Sequence, residues 1–258
     1  MARDSVGRTF LVAFLVCFAC SLLVSATAAG LRAKKERDAL LTKYRHVLGV
    51  AGLTGEGEIA AIWDQKIEPR LVELASGAYV DGQDPLGFDP RKAANDPDRS
   101  HTIAAERDLA GIGTRARYAP VYLVRDQTGI SQVVLPVHGK GLWSTLYGYI
   151  ALAPDLTTIT GFGFYEHGET PGLGGEVDNP RWLAQWAGKQ ALDATGQPRI
   201  EVLKGRVDPA GQNARYQVDG LSGATMTSRG VTNLLRYWLG EDGFGPFLAR
   251  AAKEGLDG

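Results

Sequence analysis

A run of twenty uncharged, mostly apolar residues, Phe10–Ala29, is the feature that most constrains the fold of this chain. As an α-helix this run is about 30 Å long, which matches the hydrocarbon core of a bilayer. It predicts one transmembrane helix, preceded by a short tail of residues 1–9. The alternative is a cleaved secretory signal, because Arg3 and Arg8 give a basic start and Ala26-Thr27-Ala28 resembles a cleavage site. We favour the anchor, since the run is long for a signal core and a charged helical pattern continues from it.

Both cysteines of the chain, Cys17 and Cys20, fall inside this predicted span. Three residues apart on a helix, they share one side, and we interpret them as small apolar residues that face lipid or another helix. The alternative is a metal site between subunits, for which a partner must supply two more thiolates. The remainder of the chain has no cysteine, which excludes a disulfide and a self-contained iron–sulfur cluster there.

The pattern of apolar residues directly after the span is helical. It predicts helices over Leu31–Val50 and Glu58–Ala75, the second of them kinked or split at Pro69. Three Asp-Pro pairs then predict an extended loop over Gly82–Ser100. Residues 31–100 are therefore expected to form a helical segment followed by a loop.

Alternating apolar residues and turn residues predict short strands in the second half of the chain. The predicted strands are Val121–Arg125, Gln132–Leu135, Leu146–Leu152, Ile159–Tyr165, Ile200–Leu203 and Tyr216–Val218. A helix capped by Asn179 interrupts them from Pro180 to about Leu192. Strands joined mainly by tight turns, with helices gathered at both ends, predict an α+β fold with an antiparallel sheet layer and flanking helices.

A heptad of small and polar residues, Asp219–Thr225, opens a predicted amphipathic helix that ends near Gly240. The apolar positions of this helix recur at helical spacing, at Val231, Leu234, Leu235 and Trp238. The first-turn amides and the helix dipole favour an anion at its N-terminal end. Ser222, Gly223 and Ala224 are small enough to let a ligand approach the backbone. The alternative is that Ser222 or Thr225 only caps the helix.

The heptad resembles the Asp-Gly-x-Ser/Thr-Gly-Ala-Thr signature of the covalent FMN-binding domain family. Three further segments, His167–Glu176, Gly141–Tyr149 and Trp238–Leu248, resemble one branch of that family, the C subunits of bacterial sodium-translocating NADH:quinone oxidoreductases. The resemblance extends from the N-terminal apolar run nearly to the last residue, with the motifs in family order. On this resemblance, residues 101–258 are expected to form the covalent FMN-binding domain.

The resemblance implies a covalent FMN cofactor, whose phosphate a dedicated flavin transferase joins to the side-chain oxygen of Thr225. The residues expected around the flavin are Ser222, Gly223 and Ala224 at the phosphate, and Leu142, Trp143, Ser144, Thr145, Thr170 and Leu173 at the ring. Alternatives stay open at three places. Trp143 can be a core residue, and His167 with Glu169 can form an acid–base pair. Asp219 can fix a turn, which we favour, or help to hold Mg²⁺ during flavin transfer.

The resemblance also implies a redox relay rather than the NADH-oxidising site. FMN passes electrons that originate at NADH toward flavins in the membrane subunits and finally to ubiquinone, and the whole complex exports sodium. No Rossmann or Walker motif is present, which agrees with a relay. The alternatives are the equivalent FMN subunit of the related ferredoxin–NAD electron-transport complex and a flavin-free extracytoplasmic binding module. Nucleic acid is excluded as a partner, because 28 basic and 29 acidic residues leave no basic excess.

The implied location is the bacterial inner membrane, with a single pass and the large domain on the periplasmic side. The implied partners are the other subunits of the complex, the flavin transferase and the membrane. Charge bias conflicts with this orientation, because six basic residues follow the span and the positive-inside rule would keep the domain in the cytoplasm. Long domains translocate despite flanking charge, so we follow the resemblance. His46, His101 and His138 lack metal-ligand spacing and are interpreted as ordinary polar residues.

Overall fold

The computed structural model describes residues 6–54 and 57–257, apart from the side chain of Ala33. The chain divides into two compact units after Tyr44. The helices in the described residues are α1 (Val6–Val50), α2 (Ile59–Lys66), α3 (Pro90–Ala94), α4 (Pro180–Leu183), α5 (Thr225–Leu239) and α6 (Gly245–Glu254). The strands are β1 (Ile67–Glu73), β2 (Ser100–Thr102), β3 (Thr114–Ala116), β4 (Tyr118–Asp126), β5 (Gly129–Lys140), β6 (Thr145–Leu152), β7 (Ile159–Glu166), β8 (Glu201–Val202) and β9 (Gln217–Val218).

Helix α1 joins the predicted transmembrane helix and the predicted helix Leu31–Val50 into one uninterrupted helix. Its apolar part, Val6–Arg32, contains an 18-residue stretch with a mean hydropathy of 2.5, and the side chains of this part are exposed. Among the described residues, this is the one helix long and apolar enough to cross a membrane. Residues 6–9, which the sequence analysis assigned to the tail, are part of this helix, and residues 1–5 lie outside the described residues.

The second unit is built on an antiparallel sheet with the strand order β1-β4-β5-β6-β7. Neighbouring strands after β4 are joined by hairpins, in which Tyr122 pairs with Val134 and Leu135 with Ile150. Two small additions accompany this sheet: β2 pairs with β3, and β8 pairs with β9 in parallel. The predicted α+β class, with an antiparallel sheet layer and flanking helices, is confirmed.

Helix α5 packs against the C-terminal half of β5, because two glycines leave room for it. A Cβ atom at Gly139 would approach Leu234 Cβ to 2.6 Å, and one at Gly230 would collide with the carbonyl oxygen of Lys140. Leu234 and Leu235 are fully buried in the core cluster. Burying a side chain of this kind contributes roughly 1.5–3 kcal/mol. The resulting contact brings the first turn of α5 to the turn between β5 and β6.

The prediction of a helix over Glu58–Ala75 is wrong in its second half. The helix ends at Lys66, and Ile67–Glu73 forms the edge strand β1, which pairs with β4. Pro69 lies within that strand opposite Tyr122. Proline cannot donate a backbone hydrogen bond, so it breaks a helix interior but is tolerated on a sheet edge. The tertiary pairing with β4 therefore overrides the helical spacing of the apolar residues.

Two further boundaries differ from the predictions. The helix from Pro180 ends at Leu183 rather than Leu192. Turns follow it as far as Gly188, which has a φ of +81°, and the chain then runs beside β7. The predicted loop over Gly82–Ser100 contains the short helix α3. Asp89 caps it by accepting hydrogen bonds from the amides of Arg91 and Lys92.

We expect a fragment of residues 31–258 to remain in solution without detergent, whereas the full chain requires detergent. The fragment lacks most of the exposed apolar segment that is long enough to span a bilayer. Sedimentation of both proteins after detergent removal measures this difference. A full chain that stays monodisperse in buffer, or a mature N-terminus near Ala29 recovered from native membranes, would contradict the anchor.

Candidate functional site

The backbone amides of the first turn of α5 have no intrahelical hydrogen-bond partner. The first intrahelical bond joins the Ser228 amide to the Ala224 carbonyl at 3.0 Å, so the amides of the first turn have no helical acceptor. Ala224 occupies the N-cap position, and its side chain makes no capping hydrogen bond. The alternative that Ser222 or Thr225 caps the helix is therefore wrong. Thr225 is the first helical residue, and its side chain is exposed.

The turn that precedes α5 is held by backbone-directed contacts. Gly223 has a φ of +72°, a left-handed conformation that favours glycine. Asp219 Oδ1 accepts a hydrogen bond from the Val207 amide at 2.7 Å, and the Trp182 indole donates to the Asp219 carbonyl at 2.8 Å. These contacts support the turn-fixing role of Asp219 over the alternative of a magnesium ligand.

Four large apolar side chains remain exposed on three segments that meet at this helix end. Leu142 and Trp143, on the turn between β5 and β6, are 49% and 72% exposed. Leu173 is 45% exposed and reaches Gly223, where its Cδ2 lies 2.9 Å from the place of a Cβ. Met226, the second residue of α5, is 51% exposed. The alternative that Trp143 is a core residue is therefore wrong, and the cluster has the character of a ligand platform.

The loop after β7 is folded against the same turn. Ser144 Oγ accepts a hydrogen bond from the Gly168 amide at 2.7 Å. The Thr170 carbonyl accepts bonds from the amides of Leu173 and Gly175 at 3.1 and 2.9 Å, which closes the loop on itself. Thr170 is exposed. Thr145, the first residue of β6, is half-buried.

Glu169 is a buried carboxylate at the centre of these segments, with only 5% of its surface exposed. It accepts hydrogen bonds from the backbone amides of Leu142, Trp143 and Ser144 at 3.3, 2.9 and 3.1 Å, and from Thr227 Oγ1 at 2.6 Å. Burial by itself raises the pKa of Glu169, but the bonds from Thr227 and the three amides outweigh it, so the pKa is lowered below its ordinary value.

The acid–base pair considered for His167 and Glu169 is absent from the structure. His167 Nδ1 accepts a hydrogen bond from the Glu169 backbone amide at 3.2 Å, and Nε2 lies 2.7 Å from the carboxylate of Asp178. With Nδ1 as the acceptor, Nε2 is the ring nitrogen that donates to Asp178. The Glu169 carboxylate is directed to Thr227 and the turn instead. No local pattern in the sequence indicates that Glu169 and Thr227 are in contact, because 58 residues separate them.

The sequence profile of the FMN-binding domain matches residues 141–240, which run from the turn after β5 to the end of α5. The C subunit of the Na(+)-translocating NADH-quinone reductase of Pseudomonas aeruginosa is 51% identical over 97% of this chain and 98% of its own length. The corresponding protein of Yersinia pestis is 46% identical over 98% of this chain and 96% of its own length. This chain belongs to the family of C subunits of these reductases.

Solved structures from this family share the fold. The crystal structure of NqrC from Shewanella oneidensis is 42% identical, with a TM-score of 0.76, and the match covers 84% of this chain and 98% of that one. The C subunit of the Na(+)-translocating NADH-quinone reductase from Parabacteroides distasonis is 28% identical, with a TM-score of 0.65 and coverage of 84% and 96%. The family prediction made from the heptad and the three longer segments is confirmed.

Cys17 and Cys20 do not contribute to the described site. Both are free and exposed on α1, within its apolar part. The described ranges contain no group of three or more His, Cys, Asp or Glu side chains that could hold a metal ion.

His138 differs from the ordinary polar residue that the sequence predicted. Its ring stacks on Tyr147 at 5.4 Å and lies 4.8 Å from the ring of Trp238. Burial, assisted by the positive charge of Arg91, lowers the pKa of His138 to about 4. His46 also stacks on an aromatic ring, that of Tyr165, at 5.4 Å, whereas His101 is exposed on β2.

We expect the fragment of residues 31–258 to lose stability as the pH falls from 7.5 to 5, in part through His138. The pKa of His138 is lower in the folded state than in the unfolded state, so the unfolded chain binds the proton first and stability falls with pH in that window. The contribution is about 2 kcal/mol by pH 5. Urea unfolding at several pH values should show a shallower pH dependence for His138→Gln, while His101→Gln keeps the wild-type slope. Equal slopes for both variants would refute this assignment.

Proposed function

We propose that this chain carries FMN covalently on Thr225 and relays electrons within a sodium-translocating NADH:quinone reductase. Family membership makes the chain an FMN-carrying subunit of that oxidoreductase complex. The observation that carries the finer proposal is the position of Thr225. Its exposed hydroxyl stands at the first residue of α5, among unpaired amides and beside exposed apolar side chains.

The residues around Thr225 fit a phosphate. The open amides of the first turn point out of the helix end, where the macrodipole favours negative charge. The left-handed Gly223 and the small Ser222 and Ala224 keep side chains from filling this space. A phosphate joined to the Thr225 oxygen would therefore lie close to the first-turn backbone amides, and no large side chain of residues 222–224 would block it.

The residues around the helix end also fit a flat aromatic ring. Leu142, Trp143, Leu173 and Met226 offer apolar surface that the fold leaves in solvent. An indole or aliphatic surface stacks on an aromatic ring and shields one face of it from water. FMN bound here supplies one- and two-electron transfer, and the side chains orient its ring and restrict access of water.

The same arrangement suits modification by a flavin transferase. Such an enzyme must reach the acceptor hydroxyl, and Thr225 and its neighbours Ser222 and Met226 are exposed on the surface of the domain. We place the domain on the periplasmic side of the inner membrane, anchored by the apolar part of α1. The remaining subunits of the complex are the expected electron donors and acceptors.

We expect Thr225→Ala to give folded protein without covalent flavin. The substitution removes the proposed bonding oxygen but leaves the buried apolar face of α5 unchanged, so the free energy of unfolding should change by about 1 kcal/mol or less. Full-length protein is co-expressed with the flavin transferase, denatured and tested for flavin fluorescence on a gel and for added mass. Ser222→Ala is the matched control and should keep the flavin. Fluorescent Thr225→Ala protein would place the linkage elsewhere.

We expect Leu173→Glu to keep the covalent flavin and lower its reduction midpoint by some tens of millivolts. A carboxylate beside the ring disfavours the addition of electrons, and 59 mV corresponds to about a tenfold change for a one-electron step. Ala194→Glu adds the same charge in a groove that is also lined by Leu239 and Gly240, at the C-terminal end of α5, and should leave the midpoint unchanged. Potentiometric titration compares the two variants. An unaltered midpoint and absorption spectrum in Leu173→Glu would remove Leu173 from the ring site.

A further inference from the structure

The Glu169 carboxylate joins two chain segments that are distant in sequence. One oxygen accepts the amides of Trp143 and Ser144, and the other accepts the Leu142 amide and the Thr227 hydroxyl. Four donors within 3.3 Å is close to the full accepting capacity of an ionised carboxylate. Such bonds to a charged acceptor are shorter and stronger than bonds between neutral groups.

The space around this carboxylate is shaped for it by two glycines. A Cβ atom at Gly141 would lie 2.6 Å from Glu169 Oε1, and a Cβ atom at Gly174 would lie 2.6 Å from Oε2 and 2.7 Å from Thr227 Oγ1. Thr227 itself is completely buried. Glycine at these two positions therefore leaves free the space that the Glu169 side chain occupies.

The proposed function requires the two segments joined by Glu169 to keep a fixed position relative to each other. The Leu142–Ser144 turn carries the exposed Trp143, and Thr227 lies two residues after Thr225 in the first turn of α5. The hydrogen bonds that Glu169 accepts come from the Leu142–Ser144 turn and from the Thr227 hydroxyl, and none comes from Thr225.

We propose that Glu169 is a positioning residue, whose ionised carboxylate fixes the Leu142–Ser144 turn relative to the flavin-bearing end of α5. Its relevance to the flavin rests on the proposed function, whereas the contact between turn and helix belongs to the chain itself. Without the carboxylate, the Leu142–Ser144 turn and its exposed Trp143 can move relative to Thr225, while the attachment oxygen of Thr225 is kept. It also removes a fixed negative charge from the neighbourhood of the ring.

Hydrogen exchange tests the contact on the flavin-free, full-length chain in detergent. We expect Glu169→Gln to accelerate exchange of the Trp143 and Ser144 amides by about tenfold or more, since bonds to a charged acceptor are lost. Thr227→Val removes one bond and keeps the charge, so its effect on the same amides should be smaller. The matched control is Glu201→Gln. Glu201 is a half-buried carboxylate that accepts a hydrogen bond from Arg236 of α5. Arg236 lies 11 residues after Thr225, or about 16 Å along the helix.

Flavin readouts on co-expressed, full-length protein test the consequence. We expect Glu169→Gln to keep the covalent flavin, lower its fluorescence anisotropy and raise the midpoint by the equivalent of a tenfold change in the one-electron equilibrium, about 59 mV. Thr227→Val should lower the anisotropy less and leave the midpoint near wild type. The double variant should have the same anisotropy and midpoint as Glu169→Gln alone, because Thr227 acts through that carboxylate.

The outcomes separate this proposal from the proposed function. If wild-type protein carries no covalent flavin, the proposed function fails, and the exchange experiment still decides whether Glu169 holds the turn. If flavin is attached but exchange, anisotropy and midpoint in Glu169→Gln and Thr227→Val all match Glu201→Gln, the positioning role is overturned. If Glu169→Gln does not fold, Thr227→Val with wild-type exchange at Trp143 and Ser144 overturns it as well.

Discussion

The close approach of α5 to β5 is the contact on which the functional end of this molecule depends. It is possible only because Gly139 and Gly230 present no Cβ atoms where the Leu234 side chain and the Lys140 carbonyl lie. With the helix in this position, its first turn meets the β5–β6 turn, and the loop after β7 closes over both. Each later feature, including the exposed apolar cluster and the buried carboxylate, follows from where the helix begins.

Different hydrogen-bond donors at this helix end are available to two anions, the Glu169 carboxylate and the phosphate proposed on Thr225. Glu169 is stabilised through the side chain of Thr227 and the amides of a neighbouring turn, whereas the amides of the first helical turn remain open. Because both of its oxygens already accept hydrogen bonds from these groups, the carboxylate does not compete for the donors that a phosphate on Thr225 would use. The macrodipole favours negative charge at this end in both cases.

The sequence predicted the parts of this fold that depend on local pattern. The apolar span, the two central hairpins and the helix after Thr225 have periodicity or turn residues that act within a few positions. Ile67–Glu73 was assigned wrongly because its strand conformation comes from pairing with β4, which local spacing cannot reveal. The site residues came from motif resemblance, and the structure brings their three segments together. Glu169 entered only as a possible acid–base partner of His167, since a buried carboxylate 58 residues from Thr227 leaves no periodic signal. Met226 was not among the predicted site residues.

The exposure of Trp143 has a consequence for spectroscopy. The chain has five tryptophans, and Trp63, Trp182, Trp186 and Trp238 are all buried in the domain. Only the indole at position 143 is open to collisional quenchers and to a ring stacked upon it. Tryptophan fluorescence at the red edge of the emission band, and its quenching by acrylamide or iodide, therefore report on Trp143 alone, since the other four tryptophans are buried. The polypeptide thus contains its own optical probe at the mouth of the site, without any added label.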